Sequence, residues 1–90
     1  MKLQISNKIS NLSYLTELYF DENNIVKVPK EIGDLSLLDF LCLSNNKITE
    51  IPKEISNLSK LSFLFLSGNK IKNIQKEILE LENHGCQIRK

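Results

Sequence analysis

Tryptophan is absent from this 90-residue chain; methionine and histidine occur once each, proline and cysteine twice, glycine three times. These shortages exclude a good deal of chemistry. His84 stands alone, with no Cys, Asp or Glu at metal-ligand spacing, so no zinc site is expected. Three glycines do not make a phosphate-cradling loop, and neither G-x-S-x-G nor H-E-x-x-H occurs. The serines at 10, 13, 36, 56, 59, 62 and 67 lack a base within plausible reach, as a nucleophile requires. No catalytic residue and no cofactor are expected, and the chain reads as a non-enzyme.

Charge of one sign is also missing. Twelve Lys and Arg stand against 11 Asp and Glu, for a net charge of +1, which points away from nucleic acid and anionic membranes. No window approaches the roughly 20 apolar residues of a membrane span. The opening Met1-Lys2-Leu3-Gln4-Ile5-Ser6 lacks the apolar core of a signal peptide, which fits a cytoplasmic location. Cys42 in the second strand and Cys86 in the closing tail would lie about two strand spacings, roughly 10 Å, apart, beyond the ~7 Å that a disulfide spans, which agrees with a reducing compartment.

What the chain has in abundance is repetition. Leu15, Leu18, Phe20, Asn23, Ile25, Val28, Ile32 and Leu35 define eight columns that return twice more at one fixed interval. The second copy is Leu38, Leu41, Leu43, Asn46, Ile48, Ile51, Ile55 and Leu58; the third is Leu61, Leu64, Leu66, Asn69, Ile71, Ile74, Ile78 and Leu81. No polar residue enters an apolar column. The pairs Leu18/Phe20, Leu41/Leu43 and Leu64/Leu66 alternate with other residues at period two, as strands with one buried face do. Each strand recurs one coil later, so neighbouring strands must run parallel, about 4.8 Å apart. One coil alone cannot offset the entropy of ordering its backbone; its stability has to come from its neighbours. The Asn column is structural, because an amide in an apolar core is costly unless paired.

The pattern L-x-x-L-x-L-x-x-N-x-[IL] identifies the chain as similar to the leucine-rich repeat family. With tails such as Ile51-Pro-x-x-Ile55-x-x-Leu58 it looks closest to the 23-residue class, found in bacterial and amoeboid proteins and in Ras-interacting repeat proteins. The resemblance covers roughly residues 5 to 81; Gln75 departs from it by replacing the proline of the third copy. It implies an α/β repeat solenoid, a right-handed coil with a parallel concave sheet and short helical or irregular convex segments. It also implies that each Asn bonds to backbone of adjacent coils, forming a ladder.

The whole chain, 1–90, is expected to form one domain: a half coil at 1–14, coils at 15–37, 38–60 and 61–83, and a closing segment at 84–90. Ile5, Ile9 and Leu12 align with Ile51, Ile55 and Leu58, so the chain opens with the outer half of a coil whose strand is absent or vestigial, Lys2 falling in the Ile25 column. Glu77 to Asn83 reads as a short helix ended by Gly85, and Cys86-Gln87-Ile88-Arg89 alternates as a closing strand. The Lys-Glu pairs at 30–31, 53–54 and 76–77 read as a solvated convex surface.

Residues flanking the buried strand positions must point into the concave face. They stack as Glu17/Phe40/Phe63 and Tyr19/Cys42/Phe65, followed by Asp21/Ser44/Ser67. Contiguous exposed aromatics mark interaction sites. Glu17, Tyr19, Asp21, Phe40, Cys42, Phe63 and Phe65 are therefore the candidate partner-binding residues, with Cys42 as a notch between two rings. The expected function is a protein–protein interaction module. The alternatives are a cassette of a longer array with no activity of its own, and the recognition part of a larger regulatory enzyme. Self-association through the uncovered first strand is a further expectation, since open edges recruit other chains.

Overall fold

The computed structural model describes residues 3–90. Strands β2 (Glu17–Tyr19), β4 (Phe40–Cys42), β5 (Phe63–Phe65) and β6 (Gln87–Arg89) form one parallel sheet in that order. Leu18, Leu41, Leu64 and Ile88 stand side by side across it. The first three strands follow one another at the interval of the repeat, and the last comes a residue later than that interval would put it. On the opposite side of each coil lie 3-10 helical turns at Asn7–Asn11, Lys30–Asp34 and Lys53–Asn57, spaced by the same interval. This is a leucine-rich-repeat-type solenoid: a concave parallel sheet, a convex row of short helical turns, and the apolar columns between them.

Pro29 and Pro52 precede two of these turns with φ of −72° and −69°, close to the value a proline ring imposes. Gln75 takes the same extended conformation, φ −62° and ψ 148°. Helix α1 (Lys76–Leu79) follows it and runs into a 3-10 turn at Glu80–His84, where Gly85 ends the helix in the left-handed region at φ 95°. The segment read as one short helix over 77–83 is thus an α turn continued as a 3-10 turn, and the closing strand is present.

The core contains Ile32, Leu35, Leu38, Leu41, Leu43, Ile48, Ile55, Leu58, Leu64 and Ile78, all fully buried. Ile9, Leu15, Leu18 and Phe20 are only partly buried. They fill the same columns, but no coil precedes them among the described residues. The position of Lys2 in the Ile25 column lies outside those residues. Within them, strand β1 (Leu3–Gln4) pairs in parallel with β3 (Ile25–Lys27), on the flank that follows the asparagine turn, with a register shift between Leu3 and Gln4. The half coil therefore contributes a vestige of strand to that flank and nothing to the concave sheet.

The asparagine ladder has a direction. Asn46 Oδ1 accepts from the amides of Asn23 at 2.9 Å and Ile25 at 3.0 Å. Its Nδ2 donates to the carbonyls of Phe20, Leu43 and Ser44 at 2.8, 2.9 and 3.2 Å. Asn69 does the same one coil later, accepting from Ile48 and donating to Leu43 and Leu66. Each amide ties its own coil to the one before it. The Asn23 side chain has no earlier coil to reach among the described residues, is exposed, and donates only to the Asp21 carbonyl.

The turn between strand and asparagine needs a left-handed residue. Glu22, Asn45 and Gly68 fill that column with φ of 60°, 59° and 75°. Asn and Gly tolerate this region; a glutamate there is strained by about 1–2 kcal/mol. Gly68 has a second reason to be glycine, since a Cβ at that position would run into Asn45 Oδ1.

Candidate recognition surface

Parallel pairing sets Glu17 beside Phe40 and Phe40 beside Phe63, and in the next column Tyr19 beside Cys42 and Cys42 beside Phe65. These side chains project from the concave side because Leu18, Leu41 and Leu64 between them face the core. Four rings form a connected cluster. Phe40 lies at its centre, with centroids 5.0 Å from Tyr19, 5.1 Å from Phe65 and 5.9 Å from Phe63. Phe63 and Phe65 meet edge to face at 6.2 Å. These separations are those of favourable aromatic pairs. Phe40, Phe63 and Phe65 are half-buried by one another, while Tyr19 at the margin is 57% exposed.

One of the seven candidate positions is not on the accessible surface. Cys42 is only 8% exposed, so the notch expected between Tyr19 and Phe65 is closed. Those two residues sit on the strands either side of it, and the Phe40 ring lies about 5 Å from both of theirs. Large rings close over the smallest residue between them because that contact removes apolar surface from water. Cys42 and Cys86 are both buried free thiols. Burial, helped by the Glu82 carboxylate, pushes the Cys86 thiol above its ordinary pKa, which disfavours the reactive thiolate.

The acidic margin is where the sequence places it: Glu17 and Asp21 are exposed beside the rings, and Glu22 follows. Tyr19 donates a hydrogen bond from its hydroxyl to Glu17 Oε1 at 2.8 Å. This bond, before any effect of burial or neighbouring charge, raises the Tyr19 pKa and keeps the phenol protonated. Ser44 and Ser67 hydroxyls lie 3.5 Å apart and extend the acid column as a neutral polar strip.

The opposite margin holds residues the sequence reading did not include. Pairing of β6 with β5 sets Gln87 beside Phe63 and Arg89 beside Phe65. Ile88 turns toward the core, so Gln87 and Arg89 share the concave face. The signal was present in the alternation of Cys86-Gln87-Ile88-Arg89; only the register of the closing strand shows which rings they border. The concave face thus runs from acid on β2, across rings on β4 and β5, to a cation on β6. Three strand spacings, about 14 Å, separate its margins.

Elsewhere the surface offers little chemistry. A depression of about 490 Å³ is an open groove on the flank between Thr49, Glu50, Ile51, Lys72, Asn73 and Gln75. Among the described residues no group of His, Cys, Asp and Glu could hold a metal ion, and no buried side-chain polar atom lacks a partner. No helix there is long and apolar enough to cross a membrane. The single ion pair among those residues joins Glu82 to Lys90 at 3.9 Å, leaving the Lys-Glu pairs of the convex side to water.

Stacked parallel coils, an asparagine ladder and a concave display face define a repeat solenoid of the scaffold type. The chain matches the leucine-rich repeat region family over residues 2–84 and belongs to it. Among solved structures it is similar to a leucine-rich repeat protein of Leptospira interrogans, with 37% identity and a TM-score of 0.82. That match covers 93% of this chain and 21% of the other, so the chain spans a small part of that protein's length. Comparison with curated proteins gives no match. Leucine-rich repeat regions generally mediate protein–protein interaction through surfaces that the stacked coils display.

Proposed function

We propose that this chain, a repeat stack of the 23-residue class, is a protein-recognition module that binds its partner through the concave aromatic face. One observation carries the reading: four rings form a continuous cluster on the side of the sheet that the core does not bury. Interface hot spots favour such side chains. Glu17, Asp21 and Glu22 on one margin and Arg89 on the other fit a partner that sets an apolar anchor on the rings. The same partner would bring a basic group to the β2 side and an acidic group to the β6 side. Phe40 supports the other rings from the centre, and Cys42 acts as the floor beneath them.

Peptides selected from a random library against the purified chain test this reading. Binders should carry an apolar anchor with Lys or Arg on one side. They should lose about 30-fold in affinity, equivalent to about 2 kcal/mol, when Tyr19→Ser and Phe63→Ser are combined. The melting temperature should hold, because both rings are peripheral and the central Phe40 is kept. Binding that survives the double change, or a protein that unfolds while still binding, would refute the concave-face reading. A second reading, a stretch of a longer array with no partner of its own, draws on the small share of the Leptospira interrogans protein that the chain spans. It predicts that the library yields no saturable binder.

A further inference from the structure

A straight row of side chains crosses the concave face. Parallel pairing sets Tyr19 beside Cys42, Cys42 beside Phe65 and Phe65 beside Arg89, one residue from each strand of the sheet. Cys42 is buried and Phe65 half-buried, whereas Tyr19 and Arg89 are exposed. At the β2 end Glu17 and Asp21 lie on either side of Tyr19 along the strand, and both are exposed. The Tyr19 hydroxyl donates to Glu17 Oε1 at 2.8 Å, which draws that carboxylate alongside the phenol and leaves its second oxygen to accept from elsewhere. Neither acid, nor Arg89 at the other end, takes part in an ion pair among the described residues. Between the ends the Phe40 ring leans over from the neighbouring row, 5.0 Å from Tyr19 and 5.1 Å from Phe65, so the apolar ground is continuous.

The spacing of these features suits one backbone conformation. From β2 to β6 the row is about 14 Å long, and its apolar middle, between Cys42 and Phe65, lies about 7 Å along it. An extended segment turns alternate side chains to the same side. At about 3.3 Å per residue, its third and fifth side chains stand about 6.6 and 13 Å beyond its first, within about 1 Å of both marks. In a helix the side chains four and eight residues on stand about 6 and 12 Å away, which leaves the far mark short by about 2 Å.

We infer that the concave face takes an extended five-residue stretch of its partner, with a lysine or arginine, a large apolar residue and an aspartate or glutamate at alternate positions. This rests on the concave-face reading above and narrows it to one class of peptide. The stretch crosses the strands along the row from Tyr19 to Arg89. Its cation lies over Tyr19 between the Glu17 and Asp21 carboxylates, where the phenol face adds a cation–π attraction. Its apolar side chain rests on Phe40 and Phe65. Its carboxylate meets the Arg89 guanidinium, which can donate two parallel hydrogen bonds to it. The second and fourth residues face away from the sheet and are free to vary. Charge sets which end of the stretch lies over β2, because the opposite placement brings like charges together at both ends.

The test measures the binding of labelled synthetic peptides to the full chain by fluorescence anisotropy. Each peptide carries one lysine, one phenylalanine and one glutamate: at alternate positions between serines, consecutively among serines, or four residues apart in an alanine-rich helix. The alternate peptide is made in both chain directions, and the tighter of the two is compared. It should bind at least about tenfold tighter than the consecutive and helical peptides, which misplace the apolar or a charged side chain. Arg89→Glu, at an exposed position, should weaken it about fivefold, and a peptide with lysine in place of the glutamate should recover the loss. Equal or tighter binding of the consecutive or helical peptide overturns the inference. So does an Arg89→Glu variant that binds the original peptide unchanged or is not rescued by the lysine peptide. The combined Tyr19→Ser and Phe63→Ser change separates this failure from that of the concave-face reading. A consecutive or helical peptide that binds best, yet is lost on that double change, sinks the extended stretch and keeps the concave face. Binding that survives the double change sinks both. If none of the peptides binds, the extended stretch falls, and the library binders alone decide the concave face.

Discussion

The two ends of the stack are built from the same columns and end in opposite states. At the C-terminal end Leu61, Leu64, Leu66, Ile78 and Leu81 are buried, because β6 continues the sheet and α1 with its 3-10 extension covers the convex side. Ile71 and Ile74, on the flank between those two covers, and Ile88 in the closing strand itself remain partly open. At the N-terminal end Ile9, Leu12, Leu15, Leu18 and Phe20 are all uncovered to some degree. A side chain in a repeat protein is thus worth what its neighbours make of it, as expected where stability resides in the interfaces between coils. The asparagines teach the same lesson more finely. Asn46 and Asn69 reach backward, so the last rung keeps its bonds to the coil before it beside an irregular closing segment, while the first has only its own turn to hold.

The sharpest way to break this comparison is to truncate one column at both ends. Leu64→Ala, in a fully buried site, should cost about 2–5 kcal/mol, a large share of the stability of a domain this small. Leu18→Ala, at the half-covered end, should cost only about 1 kcal/mol, since less area returns to water. Equilibrium denaturation reads both, and equal losses would show that the open end is covered in solution. The ladder gives the next largest effect. Asn46→Ala leaves the Asn23 and Ile25 amides without their acceptor and should cost about 1–3 kcal/mol. Asn69→Ala should fall below that, and Asn23→Ala should stay within about 0.5 kcal/mol. A series in any other order would contradict the backward direction of the ladder.

The smallest effect sharpens the comparison at a single turn. Glu22→Gly relieves a left-handed glutamate and should stabilise the chain by about 0.5–1 kcal/mol, after allowing for the extra entropy of glycine when unfolded. The reverse change in the same column, Gly68→Ala, adds a Cβ against Asn45 and should destabilise it. Differential scanning calorimetry of the two variants should move the melting temperature in opposite directions.

Most of the architecture was legible in the residues because each column has one job in every coil. Period-two leucines mark the strands, the tail isoleucines mark the convex turns, and Gly85 marks the end of the last helix. The concave residues followed from alternation alone, and so did the acids at Glu17 and Asp21. The state of Cys42 did not. Whether a cysteine between two rings is a notch or a floor depends on how a third ring, from the neighbouring column, leans across it. Nor could alternation place Arg89 beside Phe65, since the closing strand falls out of step with the repeat and only pairing reveals the extra residue before it.

The sequence by itself determined the coil: its strand, its turn, its asparagine and the direction each side chain faces. These are local or periodic properties, repeated three times and reinforced by burial in each copy. Tertiary structure alone decided what happens where the repetition stops. There the register of β6, the closure over Cys42 and the backward reach of the ladder depend on contacts between unlike segments. Such contacts follow from packing in three dimensions, and no period in the chain encodes them.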